Sequence, residues 1–318
     1  MEIFDSVLFA VNREDHFVEN QVIKKVNPKR MLMIGSGGCI ALSLKVIFPS
    51  LDLNVIDVNP NQISHIHKKI KAIKGSNLEE LNINKKNDYC LNQIGKFDRM
   101  FQNLRDLFIR YISEENEITR FFNIDTNAKS RLNILKKWLN NENISIPFQK
   151  VFNDNNINKV FSDKATKYGA PDSYINYMQK KIINGLKKKN AHINPFLQHI
   201  FLGFYKSPNA FPYINAKNIN VPNLQQGSIL SVSDISSYEV VSLSNIFDWS
   251  SEKLVTEHAE HLSQLHKGSA IIIRQINNHK NWIEIFDPYF EEDDFFDKYW
   301  QENDRSMFYD HIKLFIRK

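Results

Sequence analysis

The sequence has few of the features that mark secreted, metal-binding or membrane-spanning proteins. Its 318 residues include two cysteines, Cys39 and Cys90, which are too few for a disulfide framework and lack metal-site spacing. No uncharged apolar run is long enough to span a bilayer, which takes about 20 residues. The first residues, Met-Glu-Ile-Phe-Asp, lack the basic start and apolar core of a signal peptide. We therefore expect a cytoplasmic protein in a reducing compartment, either soluble or peripheral at the inner face of a membrane.

The excess of charge is also small. The chain carries 41 Lys and Arg against 36 Asp and Glu, a formal net charge of +5, and its lysines are spread along the chain. This distribution predicts mild attraction to anionic surfaces and argues against a dedicated nucleic-acid-binding protein. His258 and His261 are three residues apart, but no third ligand is evident nearby, so we expect no metal site.

A glycine-rich turn between two apolar runs is the most informative feature of the chain. Met31 to Ile34 reads as a buried strand, the turn Gly35 to Gly38 follows at once, and Ile40 to Phe48 reads as a helix. A second buried strand, Leu53 to Ile56, ends on Asp57. This succession of strand, glycine turn, helix and strand with a terminal acid predicts a βαβ unit that binds a nucleoside. The acid can accept hydrogen bonds from the ribose hydroxyls.

The spacing of the glycines favours S-adenosylmethionine (SAM) over a dinucleotide. The full G-x-G-x-x-G pattern would place a third glycine at position 40, where this chain has Ile40. That glycine allows close packing under a pyrophosphate, which NAD and FAD contain and SAM lacks. We therefore expect SAM as a co-substrate.

The rest of the chain predicts a large insertion in an α/β fold. Residues 1–74 comprise a helical leader over 1–28 and the first half of the nucleoside-binding domain. Residues 75–225 depart from the strand–helix rhythm and predict a mainly helical insertion, with helices over 97–111, 129–139 and 173–186. Residues 226–318 return to that rhythm. The fold class predicted is a doubly wound, Rossmann-type α/β sheet like that of class I SAM-dependent methyltransferases.

The second half supplies further strand ends. Strands are predicted over 227–234, 238–245, 269–273 and 307–316, and helices over 252–266 and about 290–300. The carboxyl ends of parallel strands share one edge of a sheet, where ligands bind. We therefore expect Gly37, Asp57 and Asp234 to converge, with Asp234 and the backbone of Ile235 at the adenine and Ser244 and Asn245 near the sulfonium.

Three segments resemble the SAM:diacylglycerol 3-amino-3-carboxypropyltransferase family of betaine-lipid synthesis. They are Met33-Ile-Gly-Ser-Gly-Gly-Cys39, Ile56-Asp-Val-Asn-Pro-Asn-Gln62 and Val241-Ser-Leu-Ser-Asn-Ile-Phe-Asp-Trp249. Weaker similarity extends to Arg13-Glu-Asp15, to Gly95-Lys-Phe97 with Arg105, and to Pro195-Phe-Leu with Gly203-Phe-Tyr205. The resemblance implies transfer of the aminocarboxypropyl group of SAM to a diacylglycerol hydroxyl, which leaves methylthioadenosine.

Such a transfer needs a positioned acceptor, and a base near its hydroxyl proton would help. We expect Asp248 to be that base, with Tyr205 as the second candidate. Glu14 or Asp15 is expected to hold the amino group of SAM. Arg105, or alternatively Arg274, is expected to hold the carboxylate of SAM. The predicted cofactor-binding residues are Gly35, Ser36, Gly37, Gly38, Asp57, Val58, Asn59, Gln62, Asp234, Ile235, Ser244, Asn245, Glu14 and Arg105.

Other functions remain open at this stage. The acceptor is a lipid such as diacylglycerol or a soluble small molecule, and the reaction could instead be an ordinary methyl transfer. A non-catalytic SAM-binding protein is a third hypothesis. Lys180-Lys181 and Lys187-Lys-Lys189, beside many aromatic residues, predict a basic cap that would suit an amphiphilic acceptor at an anionic membrane.

Overall fold

The computed structural model describes most of the chain: residues 5–161, 166–167, 170–206, 211–216, 218–277 and 280–318. The first four residues of the predicted leader helix, and parts of the predicted insertion, therefore lie outside the described residues. The strands are β1 (Arg30–Ile34), β2 (Asp52–Asp57), β3 (Asn223–Gln226), β4 (Val240–Ser242), β5 (Ala270–Gln275), β6 (Phe290–Glu292) and β7 (His311–Arg317). The α-helices are α1 (Phe17–Val26), α2 (Cys39–Ile47), α3 (Pro60–Lys74), α4 (Lys96–Tyr111), α5 (Glu115–Phe121), α6 (Ala128–Leu139), α7 (Ile146–Val151), α8 (Asp154–Phe161), α9 (Ser173–Lys187), α10 (Pro195–Phe201), α11 (Glu252–Leu262), α12 (Ile283–Phe286) and α13 (Asp294–Asn303).

The described strands form one mixed sheet in an α/β fold. Their order is β3-β2-β1-β4-β5-β7-β6, in which β1 to β5 are parallel and β7 is antiparallel to both of its neighbours. The strand order reverses between β1 and β4, because the chain runs outward to β2 and β3 and then returns. Crevices at such reversals are where open α/β sheets bind ligands.

Both faces of the sheet are covered, as expected for a doubly wound fold. Met31 and Met33 of β1 belong to one apolar core, while Leu32 between them belongs to the other. In β5, Ile272 and Ile271 divide in the same way. Because successive side chains of a strand point to opposite faces, this alternation places one core on each side of the sheet.

The predicted βαβ unit is confirmed almost to the residue. The strands β1 and β2 pair in parallel, and α2 lies between them in the chain. The helix α3 begins at Pro60, where a missing N–H costs nothing, and Asn59 caps it by accepting a hydrogen bond from the Asn61 N–H at 2.9 Å. These local signals suffice to define the unit.

Two of the predicted elements in the outer parts of the chain are wrong. The leader is not helical over residues 5–16, and α1 begins only at Phe17. Residues 227–234 do not form a strand: Ile229–Ser231 is a 3₁₀ turn, which Ser228 and Ser231 close with reciprocal hydrogen bonds. The strand beside β2 is instead the polar β3, whose side chains are largely exposed because it lies at the edge of the sheet.

The C-terminal region also differs in detail. The helix predicted over about 290–300 is the short strand β6 followed by α13, since Asp293 caps α13 at the Phe295 and Phe296 N–H groups. The helix predicted over 252–266 ends at Leu262. The predicted last strand begins at His311 rather than at Met307.

The insertion is mainly helical, as predicted. Helices α4, α6 and α9 match the three predicted helices within a residue at each end. Their buried aromatic residues join the same core as α2 and β1. Among the described residues, no helix combines the length and apolar character needed to cross a bilayer.

Candidate functional site

A cavity of about 320 Å³ lies at the carboxyl edge of the parallel strands, where the strand order reverses. Each of three strands contributes residues to it: Ser36 follows β1, Asp57 ends β2 and is followed by Val58, and Ser244 and Asn245 follow β4. Its other walls come from residues 8–14 of the leader, which we call the N-terminal segment, and from helices α8 and α9 of the insertion. A cavity of this size is at the lower end of the range for small-molecule sites.

The glycine turn lets the N-terminal segment approach the sheet closely. A Cβ atom at Gly37 would lie 2.5 Å from the backbone of Val11, and one at Gly38, which has a φ of +77°, would lie 2.7 Å from Ile66. Asn12 then accepts a hydrogen bond from the Cys39 N–H at 2.8 Å, which caps the start of α2. Because the chain itself covers this helix terminus, the terminus is not open to a pyrophosphate.

Asp57 fastens the two strand ends to each other. Its carboxylate accepts hydrogen bonds from the Ser36 N–H and from the Asn59 N–H, each at 2.9 Å. Burial raises the pKa of Asp57 to about 6, although these two N–H groups act to lower it. Each carboxylate oxygen keeps a lone pair for a further donor, and the side chain lines the cavity.

Gln62 and Lys69 of α3 hold the N-terminal segment in place. The Gln62 side chain accepts from the Leu8 N–H at 2.7 Å and donates to the Phe9 carbonyl at 2.9 Å. The buried Lys69 ammonium donates to the carbonyls of Ala10 and Gly37 at 2.5 and 2.8 Å. These bonds connect the segment to both α3 and the glycine turn.

Arg13 brings a partly unpaired guanidinium to the cavity wall. Its Nη2 donates to Asp98 at 2.9 Å, and the group lies over the Phe101 ring at 4.1 Å from the centroid. The Nε and Nη1 atoms are buried and have no hydrogen-bond partner among the described residues. Since buried donors are nearly always paired in proteins, these two atoms are candidates to donate to an acceptor outside the chain; Arg105 has the same two atoms unpaired but does not line the cavity.

Glu14, the next residue, brings an acid to the same cavity. It accepts hydrogen bonds from the Ser244 hydroxyl and, at 3.2 Å, from the Tyr309 hydroxyl. Its other oxygen lies 3.5 Å from Arg274, which also binds Glu19 at 2.7 Å. Two buried carboxylates thus share one guanidinium, and burial raises the pKa of Glu14 even though Arg274 acts to lower it.

Two serines at adjacent strand ends adopt an unusual backbone conformation. Ser36 has a φ of +47° and Ser244 a φ of +55°, in the left-handed region that favours glycine. Both residues line the cavity. Such conformations concentrate at functional sites, where the surrounding structure maintains them.

The side of the cavity away from the strand ends is apolar. This aromatic wall consists of Phe9, Phe97, Phe161 and Trp249. The ring centroid of Phe161 lies 5.1 Å from that of Phe97 and 4.8 Å from that of Trp249. The insertion helices α4 and α8 supply two of these rings. An apolar group of a ligand would be desolvated here at no polar cost.

The structure brings most of the predicted cofactor-binding residues together. Those that line the cavity are Glu14, Ser36, Asp57, Val58, Asn59, Gln62, Ser244 and Asn245. Gly35 and its neighbours in the turn lie beneath this surface, where a Cβ atom at Gly35 would be 3.3 Å from the Asp57 side chain. The side-chain amides of Gln62 and Asn59 mainly form hydrogen bonds within the chain. The Asn59 side chain, for example, donates to the Ser6 carbonyl.

The predicted position of Asp234 and Ile235 is wrong. Asp234 accepts a hydrogen bond from Arg30 at 3.2 Å, and Arg30 is the first residue of β1. Asp234 and its neighbour Ile235 therefore lie at the amino edge of the sheet, away from Gly37 and Asp57. The cause is the misplaced strand: the chain turns as 3₁₀ helix after β3, and Asp234 begins a second 3₁₀ turn.

The two predicted catalytic residues do not reach the cavity either. Asp248 is buried behind it, where one carboxylate oxygen accepts from the Asn245 side chain at 3.0 Å and from the Ile276 N–H at 3.1 Å. It therefore positions Asn245. Tyr205 is packed in the core of the insertion against His199 and Phe211.

The cations and the second acid proposed for the amino-acid part of SAM are engaged elsewhere. Arg105 pairs with Asp88 at 2.7 Å, away from the cavity. Arg274 is fully buried between Glu14 and Glu19, and Asp15 pairs with Arg305 at 2.6 Å. The residue that sequence reasoning missed is Arg13, whose adjacency to Glu14 was the available signal.

Among the described residues, no three His, Cys, Asp or Glu side chains are placed to hold a metal ion. His258 instead lies within 2.8 Å of the Leu254 carbonyl of its own helix. The two histidines of α11 are therefore explained as helix residues.

Comparison with models of known protein families finds no match to this chain, and comparison with curated protein sequences finds none either. The argument for function therefore depends on the residues and geometry of the cavity.

Proposed function

We propose that this chain is a SAM-dependent transferase that moves the 3-amino-3-carboxypropyl group to a hydroxyl of an apolar acceptor, with diacylglycerol as the best candidate. The observation that carries the proposal is the pair Arg13 and Glu14. At the same cavity, these neighbours present a guanidinium that is paired with Asp98 but has two donor atoms without a partner, and a carboxylate that shares one arginine with a second acid. That pair of charges complements an α-amino acid, which is the part of SAM that the reaction transfers.

The amino-acid arm would be held at both of its charged groups. The Nε and Nη1 atoms of Arg13 would each donate a single charge-assisted hydrogen bond, and the carboxylate of the arm would accept from one of them. Glu14 would accept a hydrogen bond from the ammonium group. The positive charge of that group would balance the second carboxylate, because Glu14 and Glu19 share the single guanidinium of Arg274. The opposite charges fix the orientation of the arm in the cavity.

The nucleoside would bind at the ends of β1 and β2. The Asp57 carboxylate has lone pairs free for ribose hydroxyls, and its side chain is already oriented by the Ser36 and Asn59 N–H groups. Val58 is half exposed beside it and provides an apolar face for the adenine. This arrangement matches the role that the sequence predicts for Asp57.

The fold supports the assignment to class I SAM-dependent methyltransferase-like proteins. A parallel sheet that reverses between β1 and β4 and carries an antiparallel strand near its far edge is the arrangement expected of that class. The cavity lies at the reversal, as in other doubly wound folds. Fold alone does not choose among the functions it supports, so the side chains must.

The reaction requires an acceptor behind the γ-carbon of the arm. SAM supplies a sulfonium whose γ-carbon is open to displacement. The acceptor oxygen would bond to that carbon as the carbon–sulfur bond breaks, the hydroxyl proton would pass to bulk water, and the bonding electrons would leave with the sulfur of methylthioadenosine. The aromatic wall on the acceptor side excludes water and would hold an apolar chain, which favours a lipid over a sugar or an amino acid.

Two alternatives use the same cavity. A methyltransferase would release S-adenosylhomocysteine in place of methylthioadenosine, and a non-catalytic binding protein would release neither. The tight charged grip on the amino-acid arm is compatible with all three, since each binds SAM. The product decides between them.

The test is incubation with SAM labelled in its aminocarboxypropyl chain, together with a lipid extract and a polar extract. We expect the label in the lipid fraction and methylthioadenosine in solution. Label in polar molecules alone would contradict the lipid acceptor, and S-adenosylhomocysteine as the product would contradict the transferred group. An Arg13→Lys variant serves as the matched control, because it keeps the charge near Asp98 but lacks the Nε and Nη1 donors of the guanidinium.

A further inference from the structure

A second concave surface lies on the outer side of the helices that form the cavity wall. This basic groove has a volume of about 460 Å³ and runs between α4, α7 and α8. Its charged lining residues are Lys96, Arg99, Asp106 and Arg110 of α4, Lys150 of α7, and Lys159 of α8. Five cations thus face one acid.

The cations are available for an external partner. Lys96 is engaged by Asp5 at 2.7 Å. Arg99, Arg110, Lys150 and Lys159 are exposed and form no ion pair with any residue that the structure describes. These cations repel one another, and binding of an anion would reduce that repulsion.

The groove and the cavity share two helices. On α4, Arg99 faces the groove while Phe97 faces the cavity. On α8, Lys159 faces the groove while Phe161 belongs to the aromatic wall of the cavity. An anionic surface bound at the groove would therefore lie within one helix diameter of the apolar part of the cavity, about 10 to 12 Å.

We propose that the basic groove binds the phosphate groups of anionic phospholipids and so docks the protein on a membrane. The described residues that line the groove have cationic and aliphatic side chains, two asparagines and one acid but no aromatic ring, so they lack the stacking platform typical of single-stranded nucleic-acid sites. Met100, Leu107 and Val160 provide apolar contact below the charged groups, as at membrane interfaces. The inference deepens the proposed function because it names the surface that would deliver a lipid acceptor, yet docking does not require SAM.

Two lysines of the basic cap predicted from sequence are engaged within the chain. Lys181 of the predicted cap is bound to Asp310 at 2.9 Å, and Lys188 donates to the carbonyl of Glu302 at 3.0 Å. These lysines hold the C-terminal region. Lys180, Lys187 and Lys189 of the cap are exposed and form no ion pair with any residue that the structure describes, so the cap is a second basic surface in addition to the groove.

The test is co-sedimentation of the full chain with vesicles of phosphatidylcholine alone and of phosphatidylcholine with phosphatidylglycerol. The variant is Arg99→Gln, Lys150→Gln and Lys159→Gln together. The control removes three exposed lysines elsewhere, Lys129→Gln, Lys267→Gln and Lys298→Gln, with the same loss of charge. We expect the wild type and the control to bind the anionic vesicles, and the groove variant to bind them roughly 100-fold more weakly, about fivefold per charge.

Equal weakening of the two triple variants would overturn the proposal, because it would show attraction by net charge alone. Failure of the wild type to bind anionic vesicles, binding of inorganic phosphate in place of vesicles, or preferential binding of a single-stranded RNA would also overturn it. Calorimetry of SAM with the groove variant separates this inference from the proposed function. Unchanged SAM affinity with lost vesicle binding supports both, whereas absence of SAM binding in the wild type counts against the proposed function only.

Discussion

The two edges of the parallel sheet carry similar residues and differ in what those residues do. At the amino edge, Arg30 binds Asp52 at 2.9 Å and Asp234 at 3.2 Å, and all three side chains are partly exposed. At the carboxyl edge, Asp57 is buried and, among the described residues, accepts only from backbone N–H groups. The acid with a cation partner stabilises the fold slightly, whereas the acid held by the backbone has no cation to offset the cost of its burial.

The pKa values of the two acids differ in the same sense. Although burial acts to raise it, the hydrogen bonds from Arg30 and Ser237 lower the pKa of Asp234. Burial raises the pKa of Asp57 to about 6. A buried acid without a cation is costly, and proteins retain such groups mainly where they serve a function.

Only the carboxyl edge is covered by the N-terminal segment, and breaking that cover should have the largest effect. Gly37→Ala places a methyl group 2.5 Å from the Val11 backbone, so either the segment or the turn must shift. We expect a loss of about 3 kcal/mol in the free energy of unfolding, measured by urea denaturation. Gly75→Ala is the control, because its Cβ atom would meet only the carbonyl oxygens of Lys71 and Ala72, at 3.3 and 3.9 Å, and its loss should stay below about 1 kcal/mol. Equal losses would contradict the close approach.

Exchanging the two acids for amides should separate the edges next. Asp57→Asn removes charged acceptors for the ribose hydroxyls, each worth about 1.5 to 3 kcal/mol, so SAM affinity should fall about 10- to 100-fold. Asp234→Asn should leave that affinity within about twofold, because the residue lies at the opposite edge. Titration calorimetry measures both. Equal effects would show that the site is not where we place it.

The pH dependence of SAM binding should sharpen the same contrast. If the ribose needs ionised Asp57, binding is complete above the pKa of about 6 and is lost as the pH falls through it. We expect roughly tenfold weaker affinity for each pH unit below 6, with Glu14 acting in the same direction since burial also raises its pKa. The Asp57→Asn variant should show a shallower slope. A profile that is flat between pH 5 and 7 would contradict the role of Asp57.

The smallest effect should come from the amino edge itself. Asp234→Asn removes one partly exposed ion pair with Arg30. Such pairs contribute about 0.5 kcal/mol, so the free energy of unfolding should fall by that amount, and 0.5 M salt should erase the difference. A loss above about 2 kcal/mol would mean that Asp234 has a structural role beyond this pair.

The comparison also shows which parts of the molecule its sequence could reveal. The βαβ unit was predictable because a buried strand, a glycine turn and the cap at Asn59 are all local signals. The edge strand β3 was not, because its exposed polar residues lack strand periodicity and a neighbouring apolar run competes with it. Asp234 was misplaced as a consequence.

The remaining site residues depend on long-range packing. Arg13 and Glu14 lie in an irregular segment, whose position is fixed by partners such as Gln62, Asp98 and Arg274, far along the chain. No periodic pattern marks such a segment. Asp248 lies in the turn that follows β4, but the direction of its side chain, toward Asn245 and not the cavity, required coordinates.

The central claim is that Arg13 and Glu14 grip the amino-acid arm of SAM. The most direct measurement is calorimetric titration of the wild type and of Arg13→Lys with SAM and with decarboxylated SAM, which lacks the carboxylate. We expect Arg13→Lys to weaken SAM binding about tenfold and to leave the decarboxylated compound nearly unchanged, a coupling of about 1.4 kcal/mol. Equal weakening of both compounds, or no heat with SAM on the wild type, would contradict the account.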